Sequence, residues 1–452
     1  MIKSPGRRVR AALVSLAAIG LAAAAASPAF ADVTPATPTK LLNGNQLACA
    51  ADASAPLYYN PSEEFEIEGA PEVSDGSLTS ASIEYQIWPV NDPTQIASWT
   101  LSGATTIDNP LNVPGSEFTD GQTYAWDAAT VYNGVTSAWS APCYMTVDET
   151  HPSNAPTVTS TNYPTGTQDQ AGAPVHVTFG ANGVSDIVGY SFSWFGGAGG
   201  SNFNGPLSDP FVGPAGSEPV STLGGSATLD LVPSQPSDVM QLTVVSVDRA
   251  GNASPPTTYS IVTKGSAPTI TMQGHLASFN KPTTFDLTPN AGIEAQSPVT
   301  SYNVMVAGGA NGQQNFSVAA NADGTAQTPI TFDNSTEFVQ VSSVSADGWI
   351  SDAQDYNFNS APKVSSDVYA ENATSGGGGV TGTFTFEPTV KGVAKYSYSF
   401  DYGTTQTIVA AHDGKASIKW TPTATGSYDI EVYAILADGT QLYPYDYFFN
   451  VG

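Results

Sequence analysis

Apolar and polar residues alternate along this chain with a period of two, the mark of strands with one face buried. The clearest run is Tyr428, Ile430, Val432 and Ala434, with polar residues between most of them. Met240, Leu242 and Val244 repeat the pattern, as do Val339 with Val341, and Tyr124, Trp126 and Ala128. A second alternating strand starts about 43 to 61 residues before the turn that ends each of these runs. Its inward sets read Tyr85 and Ile87; Tyr190, Phe192 and Trp194; Tyr302, Val304 and Val306; Tyr396, Tyr398 and Phe400.

The turns are Tyr132-Asn133-Gly134, Arg249-Ala250-Gly251-Asn252, Ala346-Asp347-Gly348 and Ala437-Asp438-Gly439. Asn-Gly and Asp-Gly favour the positive φ that tight hairpins demand. Tyr259, Tyr356 and Tyr447 each follow a turn glycine by eight positions, and Tyr144 follows by ten. A repeat of roughly a hundred residues emerges, each copy long enough for one two-sheet sandwich. Ala155-Pro156, Ala267-Pro268 and Ala361-Pro362 open the later copies, and proline suits a short stiff link. The expected fold is all-β: tandem immunoglobulin-like sandwiches over 32–150, 151–265, 266–360 and 361–452, linked into a semi-rigid rod. A Gly-rich stretch near 196–225 reads as a tolerated insertion in the second copy, with a binding loop as the alternative.

Residues 1–31 are set aside as a signal peptide. Lys3, Arg7, Arg8 and Arg10 precede the apolar run from Ala11 to Ala26, and Ala29-Phe30-Ala31 supplies small residues for cleavage before Asp32. Neither a second long apolar run nor a wall-sorting signal follows. The expectation is a secreted, extracellular chain without a membrane span, held at a cell wall, if at all, by binding. Export makes a disulfide between the two cysteines, Cys49 and Cys143, the expected use of both.

Charge narrows the partners. Forty acidic residues against 13 basic ones would repel nucleic acid. Without an alternating Asp/Asn calcium loop, no metal site is expected. His151, His176, His275 and His412 fall in different copies or linkers. No His-Glu-x-x-His or Gly-x-Ser-x-Gly motif occurs, and Gly376–Gly379 lacks the ending of a phosphate loop. The chain therefore reads as no enzyme, with no catalytic residue and no cofactor. Trp99, Trp139, Trp349, Tyr443, Tyr445 and Tyr447 are the candidates for stacking on sugar rings; core or sheet-face packing is the plainer role for such residues.

Asp120-Gly121-Gln122-Thr123-Tyr124-Ala125-Trp126, then Thr136-Ser137-Ala138-Trp139-Ser140 and Cys143, resemble fibronectin type III and related sandwich modules of secreted actinobacterial proteins. The resemblance implies that Tyr124 is a tyrosine corner, its hydroxyl bonded back to nearby backbone, and Tyr428 after Gly426-Ser427 fits the same role. Met240 and Glu337 stand at the equivalent positions of the middle copies, whose strand topology stays open. Ser246-Val247-Asp248-Arg249-Ala250-Gly251-Asn252 resembles a hairpin of bacterial Ig-like repeats, and Trp420-Thr421-Pro422 before Gly426 resembles another of their segments. Such modules serve adhesion, surface display or spacing, and the alternative is carbohydrate binding through exposed Tyr and Trp. Either way the expected partner is an unidentified protein or polysaccharide surface, met by a monomer.

Overall fold

The computed structural model describes residues 33–452 except 44–46, 62–63, 77, 79, 104–109, 195–215 and 234–237. The expected signal peptide, its cleavage positions Ala29, Ala31 and Asp32, and most of the Gly-rich insertion thus lie outside the described residues. Strands dominate, and the single α-helix among the described residues is Ala291–Gln296. No helix among them is long and apolar enough to cross a membrane. The chain separates into two compact units, 1–161 with 176–229 and 241–260, and 162–175 with 230–240 and 261–452.

In the first unit, the alternation of Ala81–Pro89 appears directly as alternating burial. This strand pairs antiparallel with Thr123–Tyr132, placing Ile87 opposite Trp126 and Tyr85 opposite Ala128. Ala97–Ser102 and Cys143–Val147 flank that pair, and Leu57–Tyr59 adds a parallel strand beyond Cys143–Val147. A second sheet, built on Leu41–Asn43, Glu64–Gly69 and Leu111–Pro114, faces the first. Phe65, Ile67, Val113, Ile83, Tyr85, Trp126 and Met145 fill the space between them. The buried Trp126 keeps its polar handle satisfied, donating from Nε1 to Asn43 Oδ1 at 3.0 Å.

Cys49 and Cys143 form a disulfide with Cα atoms 5.2 Å apart, closing a loop of 94 residues. In the chain-entropy model such a loop contributes about 4–5 kcal/mol. Farther along the same unit, Ile187–Trp194 pairs with Val239–Asp248 through a bulge at Ile187/Gly189. Ser217–Pro219 pairs along its other side, so part of the expected Gly-rich loop is instead an edge strand.

The second unit contains two further sandwiches. In one, Thr269–Met272, Pro282–Thr288 and Ala326–Thr331 form a sheet; Gln314–Ala319, Val299–Ala307, Thr336–Ser345 and Gln354–Asn359 form the other. In the last, Lys363–Ser366, Gly382–Glu387 and Ala416–Trp420 make one sheet. Thr374–Ser375, Gln441–Val451, Gly426–Leu436, Val393–Phe400 and Gln406–Val409 make its companion. An aromatic core holds it, with Phe400 stacked on Trp420 at 4.7 Å and Phe449 packed beside Tyr369 and Phe384. Pro156, Pro268 and Pro362 each immediately precede a first strand, beginning at Thr157, Thr269 and Lys363.

The corner position shows one task done by different chemistry. The Tyr124 hydroxyl accepts from Thr119 N–H at 3.0 Å, while the Tyr428 hydroxyl donates to the Ala424 carbonyl at 3.0 Å. Glu337, at the equivalent position, accepts from the N–H groups of Asp333 and Asn334 at 2.6 and 2.7 Å. A carboxylate here ties down the arch that a phenol ties elsewhere. It is only 4% exposed, and burial pushes its pKa up although both hydrogen bonds pull the other way. Met240 offers no such group.

Candidate functional site

The aromatic candidates divide by burial. Trp349 is 2% exposed and Tyr447 3%, so neither presents a ring face to a ligand. Tyr447 shares the inward set of Gln441–Val451 with Phe449 and Val451, and its hydroxyl donates to the Tyr369 carbonyl at 2.7 Å. Tyr445 is half-buried and bonds Glu371 Oε1 at 2.8 Å. Tyr443 alone of the three is exposed, at 51%, so the three tyrosines form no common stripe. Trp99 lies opposite Tyr85 and packs on the first core, and Trp139 is half-buried.

Polar groups converge elsewhere, at the tip of the hairpin after Val239–Asp248. Asp248 N–H donates to the Asn252 carbonyl, and Gly251 N–H donates to that of Asp248, at 3.1 and 3.2 Å. Gly251, with φ 87°, gives the turn its left-handed residue. The Asp248 carboxylate is fully buried and accepts from Ala250 N, Asn252 N and Asn252 Nδ2, each at 2.9 Å. Burial pushes its pKa up to about 6, against the pull of those hydrogen bonds.

This tip reaches residues of the first copy and of the linker. Asn252 Nδ2 donates to the Asp148 carbonyl at 2.9 Å, and Asn60 Nδ2 donates to Asn252 Oδ1. The Arg249 guanidinium lies 3.6 Å from the centre of the Tyr58 ring, and His151 Nδ1 lies 2.9 Å from the Ala253 carbonyl. Asp148, Asp186 and Asp248 meet here, each with a carboxylate oxygen within 4.8 Å of the others. Burial raises the pKa of Asp148, with Asp186 and Asp120 adding to the rise and Arg249 opposing it. Such hard oxygen donors suit calcium or magnesium better than a soft metal. In the sequence Asp248 is legible only as part of a turn, and no local pattern marks Asp148 or Asp186.

A second junction forms around the hairpin after Thr336–Ser345. Its backbone repeats the first: Ser345 N–H donates to the Trp349 carbonyl and Gly348 N–H to that of Ser345, both at 3.0 Å. Trp349 stacks on Tyr163, with centroids 6.1 Å apart and planes at 21°. Ser266 Oγ donates to Asp352 Oδ2 at 2.9 Å and accepts from Asp352 N at 2.8 Å. Contact with the Asp352 carboxyl pushes the pKa of Asp238 up.

No protein-family model matches the chain, and no curated protein matches it in sequence. Solved structures do match. A tetra-tandem repeat from the extending region of a large adhesion protein is 13% identical, covers 93% of this chain and 100% of its own, and gives a TM-score of 0.20. A Ca2+-stabilized adhesin that helps an Antarctic bacterium reach out and bind ice is 15% identical, with coverage of 92% and 100% and a TM-score of 0.22. The first three fibronectin modules of chicken CNTN1 are 12% identical, with coverage of 72% and 98% and a TM-score of 0.20.

Proposed function

We propose that this chain is a non-catalytic extracellular protein whose Ig-like modules space, display or present an adhesive surface. The observation that carries the reading is where its polar chemistry is used. Asn252, His151, Ser266 and Asp352 bond across from one copy to the next or to the linker between them. Trp349, the largest apolar side chain at these tips, stacks on Tyr163 of the preceding copy. Side chains that an enzyme would aim into a cleft here fix neighbouring modules against each other. The disulfide supports an oxidising, extracellular location.

Carbohydrate binding ranks second, because Trp349 and Tyr447 are consumed by packing while Tyr443 keeps an open face. Beads coated with the purified chain, offered to intact cells and to cellulose, chitin and peptidoglycan, test the proposal. Retention on cells without retention on the polysaccharides is the expected result. Retention on a polysaccharide that disappears in Tyr443→Ala moves the reading to sugar binding, and failure of the beads to bind any surface removes adhesion.

A further inference from the structure

One sheet face of the C-terminal module gathers carboxylates where sheet physics disfavours them. In Gly426–Leu436 the residues Ile430, Val432 and Ala434 point into the core, so Asp429 and Glu431 lie on the outer face. Asp401 stands beside Asp429: Asp429 N–H donates to Asp401 Oδ1, and Asp401 N–H donates to the Asp429 carbonyl, both at 3.0 Å. Glu431 lies directly opposite Asp446 on the neighbouring strand, and Asp429 lies opposite Phe448. Two like-charged pairs thus sit side by side, and like charges facing each other across strands destabilise a sheet.

Asp429 is not an ordinary surface acid. It is 8% exposed, and its Oδ2 is buried without a hydrogen-bond partner. A buried carboxylate oxygen with no donor is expensive unless something positive reaches it. Burial holds its pKa up, followed by the charge of Asp401 and direct contact with the Asp401 carboxyl, and then by the charges of Asp446 and Glu431. The neighbouring Tyr402 is 68% exposed, and Asp429 and Asp446 raise its pKa in turn, so the negative field opens toward solvent.

We propose that Asp401 and Asp429 hold a divalent cation on the outer face of the C-terminal module, with Glu431 and Asp446 adding charge around it. The cation would supply the positive partner that Asp429 Oδ2 lacks and cancel the repulsion between the two pairs. Carboxylate donors select a hard ion, calcium before zinc or copper. Two protein carboxylates leave most coordination positions to water, so the affinity belongs with weak extracellular sites, roughly 10⁻⁴–10⁻³ M. This site is separate from the Asp148, Asp186 and Asp248 cluster.

The test titrates CaCl2 into the full chain by calorimetry and follows thermal unfolding in EDTA and in about 5 mM CaCl2, above that affinity range. Asp401→Asn with Asp429→Asn is compared with wild type and with Asp148→Asn and Asp186→Asn, which isolates the other acidic cluster. The expected result is that the Asp401/Asp429 variant loses, by tenfold or more, one binding component that the Asp148/Asp186 variant keeps. Its unfolding temperature should match or exceed wild type in EDTA, where repulsion has been removed, and fall below wild type in calcium. Identical calcium isotherms for wild type and this variant would overturn the proposal. So would a variant equally destabilised in EDTA and in calcium, because the two acids would then be structural only.

Discussion

Two hairpins with the same backbone make junctions of opposite chemistry. In each, a serine two residues before the tip donates its N–H to the Oγ of a serine eight residues later: Ser246 to Ser254 at 3.0 Å, and Ser343 to Ser351 at 2.8 Å. In each, the residue opening the turn donates its N–H to the carbonyl four residues on and accepts from the glycine N–H three residues on. Ser, Val, Gly and Ser recur at the same places, while five side chains change, among them Asp248 to Ser345, Arg249 to Ala346 and Asn252 to Trp349. The first set builds a buried, acidic, hydrogen-bonded contact. The second builds a stacked aromatic one, with the Ser345 hydroxyl accepting from Trp349 N at 3.1 Å. The framework is therefore a reusable hairpin, and the junction's character resides in the side chains at its tip, Asp248, Arg249 and Asn252 in one and Ser345 and Trp349 in the other.

Removing the aromatic contact should cost most. Trp349→Ala deletes a side chain 2% exposed and leaves Tyr163 without its stacking partner. Such truncations cost about 3–5 kcal/mol. Hydrogen exchange should show faster opening of Thr336–Ser345, whereas Val239–Asp248 is the internal control. Equal protection in wild type and variant would mean that the stack is incidental.

Exchanging tip chemistry sharpens the comparison further. Ser345→Asp places a carboxylate where the serine is 2% exposed and where Trp349, unlike Asn252, offers no side-chain amide. The variant should lose about 2–4 kcal/mol at neutral pH, from burying a charge with too few partners. Adding Trp349→Asn should not restore packing but should restore a donor, so the double variant recovers part of any charge penalty. Chemical denaturation at pH 4 and pH 7 separates the two terms. If Ser345→Asp is as stable as wild type at pH 7, the hairpin tolerates either chemistry and the comparison fails.

The sequence already contained much of this architecture. Period-two alternation is a local property, so the inward sets around Tyr85, Trp126, Tyr302 and Ile430 could be read without knowing which strands pair. Two cysteines in a chain expected to be exported left one economical use for both. The Asp148, Asp186 and Asp248 cluster could not be read in this way. Its members come from a linker, a turn before one strand and the end of another, and only folding brings them together. Trp349 misled for a related reason: it lies outside any alternating run, so pattern alone could not show that Tyr163 covers it. Glu337 was recognised by position, but its role needed the coordinates. A carboxylate can replace a phenol only because two N–H groups of the arch point at it.

A smaller effect follows from Asp248 and tests the acidic junction through pH. Its folded pKa, about 6, is above the 3.8 of an unperturbed aspartate, so the folded state binds the proton more tightly than the unfolded chain does. The stability this supplies is fully present below pH 3.8 and is lost as pH rises through 6. Asp148 shifts in the same direction and adds to the trend. Asp248→Ser, which imitates Ser345, should flatten this dependence by up to about 2–3 kcal/mol between pH 4 and pH 7. A wild-type junction that gains stability over that interval would contradict the assignment.

The smallest expected change comes from Asn60. Its Nδ2 donates to Asn252 Oδ1, while its own Oδ1 is buried without a partner. Asn60→Ala therefore removes one hydrogen bond and one unsatisfied acceptor together, and strands only Asn252 Oδ1. A typical net hydrogen bond contributes about 1 kcal/mol, and loss of the orphan offsets part of it, so the variant should lose about 0.5–1 kcal/mol. Asn60→Asp makes the more telling companion, because it keeps the size, deletes the donor and adds a carboxylate near Asp148 and Asp248. If the junction is limited by its surplus of acids, Asn60→Asp should cost more than Asn60→Ala at pH 7, and the gap should close at pH 4. Equal losses at both pH values would show that only the amide contact matters, and that charge plays no part in how this junction differs from the aromatic one.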